Sequence, residues 1–592
     1  MRLFPDGPHE ELLDKVDIVA VTTESMFSHP NPLNPTDRFT VLEATHGDLG
    51  ELGYVRGKSP FRTAFLDAYT HTRTARKEAL GAIMDRGSPS ECVKDPAHIQ
   101  KTLQDRHGPR YGRPSDRFGP PTALFSEPLA LLKYRLDHLE SLTPDPVTLD
   151  HAFNLVAIST GFFGGEKDRE GALKPTLEAL LPGRSDWQLK TVGNSAIPDA
   201  AWLEGPFTYL IFELKNEQGL GGDPFLQGLL TYGKVTARPT VCSLSLLYPT
   251  CPPLNRIIQY NSVRQLSNLP VILLTIAGNV LILSTAIFTN EMYADELLSI
   301  KLHFGPHGSD KVFHVARAFM AIQESMKQLR ELYRNLQDAP RSPPPLTVAM
   351  WPRPTGNPPE STEQLPKLEF YAKVERASGK PLPCIDEENE NHAMYLARMQ
   401  IKTSTQTGAS IHAEESTQAE APIQTVFVKF AIKYNADAHR LLADRVPPLA
   451  PVLHFCAPIV GDMYMIVTEY IPGRSINLYS STDGHLGLPQ AVKRDASHAL
   501  TLLHEKNWVF GDLRPPNILY LPDSDGGRVL LVDFDGVGVD GEGRYSACLN
   551  PAAGLCASVK RGGIMKKEHD WENLEQLLEW LRLKFSKSLC KT

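Results

Sequence analysis

Residues 508–535 read WVFGDLRPPNILYLPDSDGGRVLLVDFD. Asp512 and Asn517 lie in a tight, Pro-rich loop, and the apolar run Ile518 to Leu521 follows them. A polar turn, Asp523 to Gly527, leads into a second apolar run, Val529 to Val532, which ends at Asp533. The pattern is loop, strand, turn, strand, carboxylate. A hairpin of this kind brings three metal-seeking or base-like groups to one end. Phosphoryl transfer needs such a set: a carboxylate near the accepting hydroxyl, and an Asn and an Asp holding magnesium against phosphates.

The stretch resembles the catalytic and metal loops of protein-kinase-like phosphotransferases. The resemblance implies that Asp512 is the catalytic-loop aspartate, Asn517 the metal-binding asparagine and Asp533 the first residue of the DFG motif. GDLRPPN in place of HRDLKxxN is similar to the atypical and small-molecule kinase branches, and to the kinase-like domains of fungal proteins. ATP and Mg2+ are the implied cofactors. A protein hydroxyl or a small molecule is the implied acceptor.

Upstream, TVFVKF at 425–430 reads as a strand with Lys429 in its interior, where an ammonium is costly without a partner. By the resemblance, Lys429 matches the strand lysine that grips the α- and β-phosphates. The plainer alternative is a lysine on the solvated face of an edge strand. Asn435 to Ala443 reads as the helix that should carry the lysine's carboxylate partner, yet it holds no glutamate; Asp437 and Asp444 are the acids available. Met463 to Tyr470 reads as the strand entering the hinge between lobes, where backbone groups of Glu469 and Tyr470 would meet adenine. Pro489 to Glu505 reads as the helix before the loop.

Departures from the family pattern are specific. No G-x-G-x-x-G precedes Lys429, and the nearest glycine is Gly408. Gly511 stands where the family has the HRD arginine, Asp535 replaces the DFG glycine, and no APE motif follows. His569-Asp570-Trp571 opens what looks like the helix whose aspartate buttresses the catalytic loop.

A chain of 592 residues suggests three or so domains. At 42% apolar and 22% charged it reads as globular, and a formal charge of −8 argues against a whole-surface nucleic-acid binder. Eight scattered cysteines without metal-type spacing read as free thiols in a reducing compartment. The N-terminus lacks an apolar signal core, so an intracellular protein, cytoplasmic or nuclear, is expected. Pro270 to Phe288 is almost long enough to span a membrane, but Gly278-Asn279 at its centre favours a buried hairpin over a membrane helix.

A second site lies at 197–232. Ile197-Pro198-Asp199 precedes the strand Thr208 to Phe212, which runs into Glu213-Leu214-Lys215. Residues 213 and 215 share a strand face, so a carboxylate and an ammonium can share a site, with Asp199 arriving from a neighbouring strand. Asp199 and Glu213 can hold a divalent metal while Lys215 steadies a water or phosphate oxygen. A helix from Asp223 to Tyr232 brings Gln227 near. This pattern resembles the PD-(D/E)XK nuclease core; Glu170 or Glu178 would then be the extra acid from the preceding helix, with Glu170 preferred. The alternative is a surface ion pair of Glu213 and Lys215 on a sheet edge.

These readings give an α+β multidomain chain, with an N-terminal α/β restriction-endonuclease-like core and a C-terminal bilobal protein-kinase-like fold. The expected divisions are 1–120, hard to read; 121–336, nuclease-like; 337–366, a Pro-rich linker; and 367–592, kinase-like. The pairing is similar to Crinkler-type nuclease–kinase architectures. The leading function is ATP/Mg-dependent phosphotransfer onto protein Ser/Thr. The alternatives are small-molecule phosphorylation, DNA cleavage regulated by the kinase-like part, and a non-catalytic nucleotide-binding scaffold.

Overall fold

The computed structural model describes residues 76–187 (without 77 and 116), 198–217, 222–237, 267–338, 350–374, 381–382, 393–400, 423–472, 474–479, 487–522 and 526–586. It is a mixed α/β structure with several sheets, and it divides into two compact units, Met1–Thr355 and Gly356–Thr592. Ile197 and the loop holding Gly408 lie outside the described residues.

The first unit is built on a six-stranded sheet in sequence order: β1 (Ser185–Trp187), β2 (Ala200–Glu204), β3 (Phe207–Lys215), β4 (Val271–Ala277), β5 (Val280–Phe288) and β6 (Met292–Lys301). Neighbours pair antiparallel except β3 and β4, which run parallel. The apolar run at 270–288 is the β4–β5 hairpin, with Gly278 at φ 56° in its turn, a conformation glycine adopts without a Cβ clash. No helix among the described residues is long and apolar enough to cross a membrane.

Before the sheet come α1 (Glu127–Asp137), α2 (Pro146–Ser159) and α3 (Glu166–Leu180). Short 3-10 turns at Thr122–Leu124 and Leu139–Ser141 flank α1. Pro128 explains where α1 begins, since it lies in the first turn, where no N–H partner is lost. Two further helices, α4 (Pro224–Ala237) and α5 (Gly308–Asp338), pack on the sheet.

A register shift between Trp202 and Leu203 decides what each helix meets. One extra residue reverses the alternation along a strand. Phe207 therefore stacks on Tyr333 of α5, at 4.9 Å, whereas Glu213 farther along β3 meets Gln227 and Thr231 of α4. Arg169 of α3 is fully buried and gives its guanidinium to the carbonyls of Ser159, Asn216 and Gly278, tying α2 and the ends of β3 and β4 together.

The second unit carries another six-stranded sheet, formed by β7 (Leu368–Val374), β8 (Pro381–Leu382), β9 (Met394–Gln400), β10 (Ile423–Ala431), β11 (Leu453–Ile459) and β12 (Met463–Glu469). Its order is β11-β12-β10-β9-β7-β8, all antiparallel. Between β10 and β11 runs α6 (Ala436–Ala443), whose N-terminus is capped by the Asn435 side chain. An apolar cluster follows around α7 (Leu488–Glu505) and α8 (Lys567–Ser586). Between these helices lie four short strands: β14 (Trp508–Val509), β15 (Ile518–Leu521), β16 (Arg528–Leu531) and β17 (Gly538–Val539), while β13 (Arg474–Ser475) pairs with β15.

Both long sheets have partners at an outer edge. Arg110 bridges to Tyr293 on β6, exchanging backbone bonds with Met292 and Ala294. Gly356 bridges to Ile459 on β11.

Candidate functional site

In the second unit, the segment 508–535 folds as loop and hairpin. Asp512 and Asn517 precede β15, and Asp533 follows β16. Asn517 is buried in a 3-10 turn opened by Pro515 and Pro516, and its Nδ2 donates to the Asp512 carbonyl at 2.9 Å and to the Asp512 carboxylate at 2.7 Å. The Asn517 carbonyl in turn accepts from Val532 N–H at 3.0 Å, which fastens this loop to the end of β16.

Lys429 projects from β10 with its ammonium between two carboxylates, 2.7 Å from Asp533 and 2.6 Å from Asp535. Burial alone would lower its pKa, but the two aspartates outweigh burial and raise it. Burial and then the Asp533 charge push Asp535 up to about 7, against the lowering effect of Lys429. The Asp535 Oδ1 atom is buried with no hydrogen-bond partner. Asp533 itself has φ 71°, in the left-handed region that non-glycine residues seldom occupy.

The loop ahead of Asp512 is held from below. Asp570 on α8 is wholly buried and accepts from Phe510 N–H at 2.7 Å, Gly511 N–H at 2.9 Å and His504 Nε2 at 2.9 Å. Gly511 has φ 77°, and a Cβ there would lie 2.4 Å from Met565 Cε and 2.8 Å from the Gly536 carbonyl. No arginine fits that position. Phe534 is buried against Phe510, edge-on at 5.6 Å, and stacks flat on His439 of α6 at 4.5 Å.

Other sequence-derived positions fall elsewhere. Asp437 lies in the first turn of α6 with a largely exposed side chain, paired to Arg440 at 3.4 Å. The inward face of that helix offers Ala438, His439 and Leu442. Glu469 ends β12, and its N–H is already given to the Val452 carbonyl at 2.9 Å; Tyr470 follows, half-buried, with its hydroxyl pKa raised by burial. Two residues to which the sequence assigned no role at the site belong to the constellation. Arg514 clasps both carboxylate oxygens of Asp512, one at 2.7 Å through Nη2. Asp535 stands where the lysine's partner was sought on a helix.

In the first unit, Asp199 directly precedes β2 and accepts Leu214 N–H at 2.6 Å. Glu213 is fully buried, and both its oxygens accept from α4: Gln227 Nε2 at 2.8 Å and Thr231 Oγ1 at 3.0 Å. Burial, with the Asp199 charge second, raises Glu213 well above the usual carboxylate range. Burial likewise pushes Asp199 up to about 6, with Leu214 N–H and Lys215 opposing and Glu166 and Glu170 adding. Lys215 pairs with Glu166 at 3.1 Å, at the start of α3. The helix acid in contact with the lysine is therefore Glu166; Glu170, one turn on, acts on Asp199 only through its charge. The exposed side of a sheet edge is not where Glu213 and Lys215 sit, since β3 is an interior strand buried along its length.

Both constellations are oxygen-rich and suit a hard cation such as Mg2+ in donor chemistry. Among the described residues, no group of three or more His, Cys, Asp or Glu is arranged to hold a metal alone. Magnesium commonly takes one or two carboxylates from protein and the rest from waters and substrate phosphates, and the unpartnered Asp535 Oδ1 leaves an acceptor available beside Asp533.

No protein-family model matches the chain, and no curated protein matches it. Among solved structures, the chain matches the Cydia pomonella granulovirus kinase PK-1 with a TM-score of 0.21 and 16% identity. That match covers 31% of this chain and 62% of the viral one, and so slight a likeness carries no argument about fold or activity.

Proposed function

We propose that the second unit is an ATP- and magnesium-dependent phosphotransferase acting on a hydroxyl acceptor, a protein Ser/Thr or a small molecule. The observation that carries this reading is the Lys429 ammonium set 2.7 Å from Asp533, beside the Asp512–Asn517 pair. Lys429 stands on the third long strand of its sheet with a helix directly after it, the placement of the phosphate-gripping lysine in kinases. On this reading Lys429 holds phosphate oxygens, and Asn517 and Asp533 supply oxygen ligands to magnesium. The metal, when bound, neutralises charge on the phosphates. Asp512 orients the acceptor hydroxyl and takes its proton, with its rotamer fixed by Arg514 and Asn517. The deciding measurement is ATP binding by the full chain with and without magnesium, for wild type and Asp533→Ala. Magnesium-dependent binding lost in the variant supports the reading; its absence from a folded wild-type chain overturns it.

A second reading concerns the first unit. The part-buried Asp199 with the buried Glu213, Lys215 and Gln227 favours metal-dependent hydrolysis of a nucleic-acid phosphodiester. Incubation of DNA with the chain and Mg2+ or Mn2+ tests it: cutting should occur in wild type and disappear in Glu213→Gln. Intact DNA with both proteins would reject it.

A further inference from the structure

We propose that Asp535 is the positioning carboxylate of Lys429, so that the loop after β16, and not helix α6, sets the lysine. The inference deepens the phosphotransferase reading by assigning how that site is assembled. Lys429 Nζ is 2.6 Å from Asp535 and 2.7 Å from Asp533, two bonds from one segment. The left-handed backbone at Asp533, followed by the 3-10 turn Phe534–Gly536, folds the chain so that both carboxylates address one ammonium. The helix offers no competitor. Asp437 points to solvent and pairs with Arg440, and the polar group on the buried face is His439, engaged by Tyr434 Oη at 2.6 Å and the Pro451 carbonyl at 2.8 Å.

The consequence is regulatory. Where a helix carries the partner, moving the helix makes or breaks the lysine's ion pair. Here the pair is made by the segment that also presents Asp533, so the lysine is in place whenever that loop is folded. Helix α6 reaches the pair only indirectly, through His439 stacked on Phe534, the residue between the two aspartates.

The test reads Lys429 itself, in the full chain without nucleotide. The proteins are acylated with a limiting amount of acetic anhydride, and the rate at the Lys429 peptide is followed by mass spectrometry. Asp535→Asn removes one of the two ion pairs that hold the ammonium and leaves Lys429 more open to the reagent, so acylation should speed by about threefold to tenfold. Asp437→Asn should leave the rate at the wild-type value, and Asp535→Glu, which restores a carboxylate, should return it towards that value. An unchanged rate in Asp535→Asn, an equal acceleration in Asp437→Asn, or a Glu variant as fast as the Asn variant would overturn the assignment. Because no ATP takes part, the phosphotransferase reading stands or falls separately, on magnesium-dependent ATP binding.

Discussion

Asp570 accepts the backbone N–H of Gly511 at 2.9 Å, so a helix near the end of the described chain fixes the residue immediately before Asp512. The same carboxylate takes two more donors, Phe510 N–H and His504 Nε2, and it is wholly buried. Asp570→Ala would strand two buried backbone donors and remove the partner of the part-buried His504 Nε2. An unsatisfied buried group costs about 1–3 kcal/mol, so the second unit should lose roughly 3 kcal/mol or more, measured as a lowered urea midpoint. A midpoint unchanged from wild type would mean that the loop does not depend on this carboxylate.

Gly511→Ala tests the fit from the other side. The substitution adds a Cβ 2.4 Å from Met565 Cε at a residue with φ 77°. Strain of this kind costs of order 1–3 kcal/mol, and the methionine can yield while the Gly536 carbonyl cannot easily do so. Denaturation of the second unit should report a loss in that range. Pairing the change with Met565→Ala should recover little of it if the backbone is the obstacle.

Asp512→Asn keeps the shape of the loop and removes the base. If the second unit transfers phosphate, turnover should fall about 10²–10⁴-fold while ATP affinity changes little. Steady-state rates with a hydroxyl acceptor, set beside calorimetric binding, separate the two. Equal losses in both would instead assign Asp512 to nucleotide binding.

Acid should loosen the second unit through His439. Burial holds the His439 pKa down to about 4, below its ordinary 6.5. The unfolded chain thus binds this proton more readily than the folded one between those values, and stability falls as pH drops from about 6.5 to about 4. The full difference is worth at most about 3 kcal/mol. Urea midpoints at pH 7, 5.5 and 4.5 should decline, and His439→Gln should flatten that decline. A variant with the wild-type slope would place the acid sensitivity elsewhere.

Glu213→Gln should stabilise the first unit even as it removes any hydrolysis. A buried carboxylate held by neutral donors is costly, and the amide that replaces it has a ready acceptor, because Gln227 Oε1 is buried without a partner. A gain of about 1 kcal/mol is expected, read as a higher melting temperature. Destabilisation would show that the Glu213 charge is needed by Lys215 in the resting fold.

What the sequence disclosed followed from local chemistry. Gly278-Asn279 marked the β4–β5 hairpin because a two-residue turn with φ above zero needs glycine there. Lys429 inside TVFVKF demanded a partner, and its ion pairs meet that demand. The identity of the partner was not legible, since Asp533 and Asp535 are remote in sequence and become neighbours of Lys429 only through packing. Strands β2 and β6 were missed for a different reason: AAWLE is short, and MYADELLSIK mixes acids with apolar residues in no clean alternation. Glu166 was overlooked in favour of Glu170 because helix geometry alone does not say which turn faces the end of β3.

The bridges that Arg110 makes to β6 and Gly356 to β11 bear on how copies of this chain behave when crowded together. A long bare strand edge is a template onto which another molecule can add a strand, the first step towards fibrils. At the opposite ends of the two sheets the outermost strands, β1 and β8, are only three and two residues long. Pro458 in β11 removes a further N–H from that margin. Among the described residues, the sheet borders are thus short, interrupted or, on β6, bridged near one end, and each of these features lessens the purchase for strand-on-strand accretion.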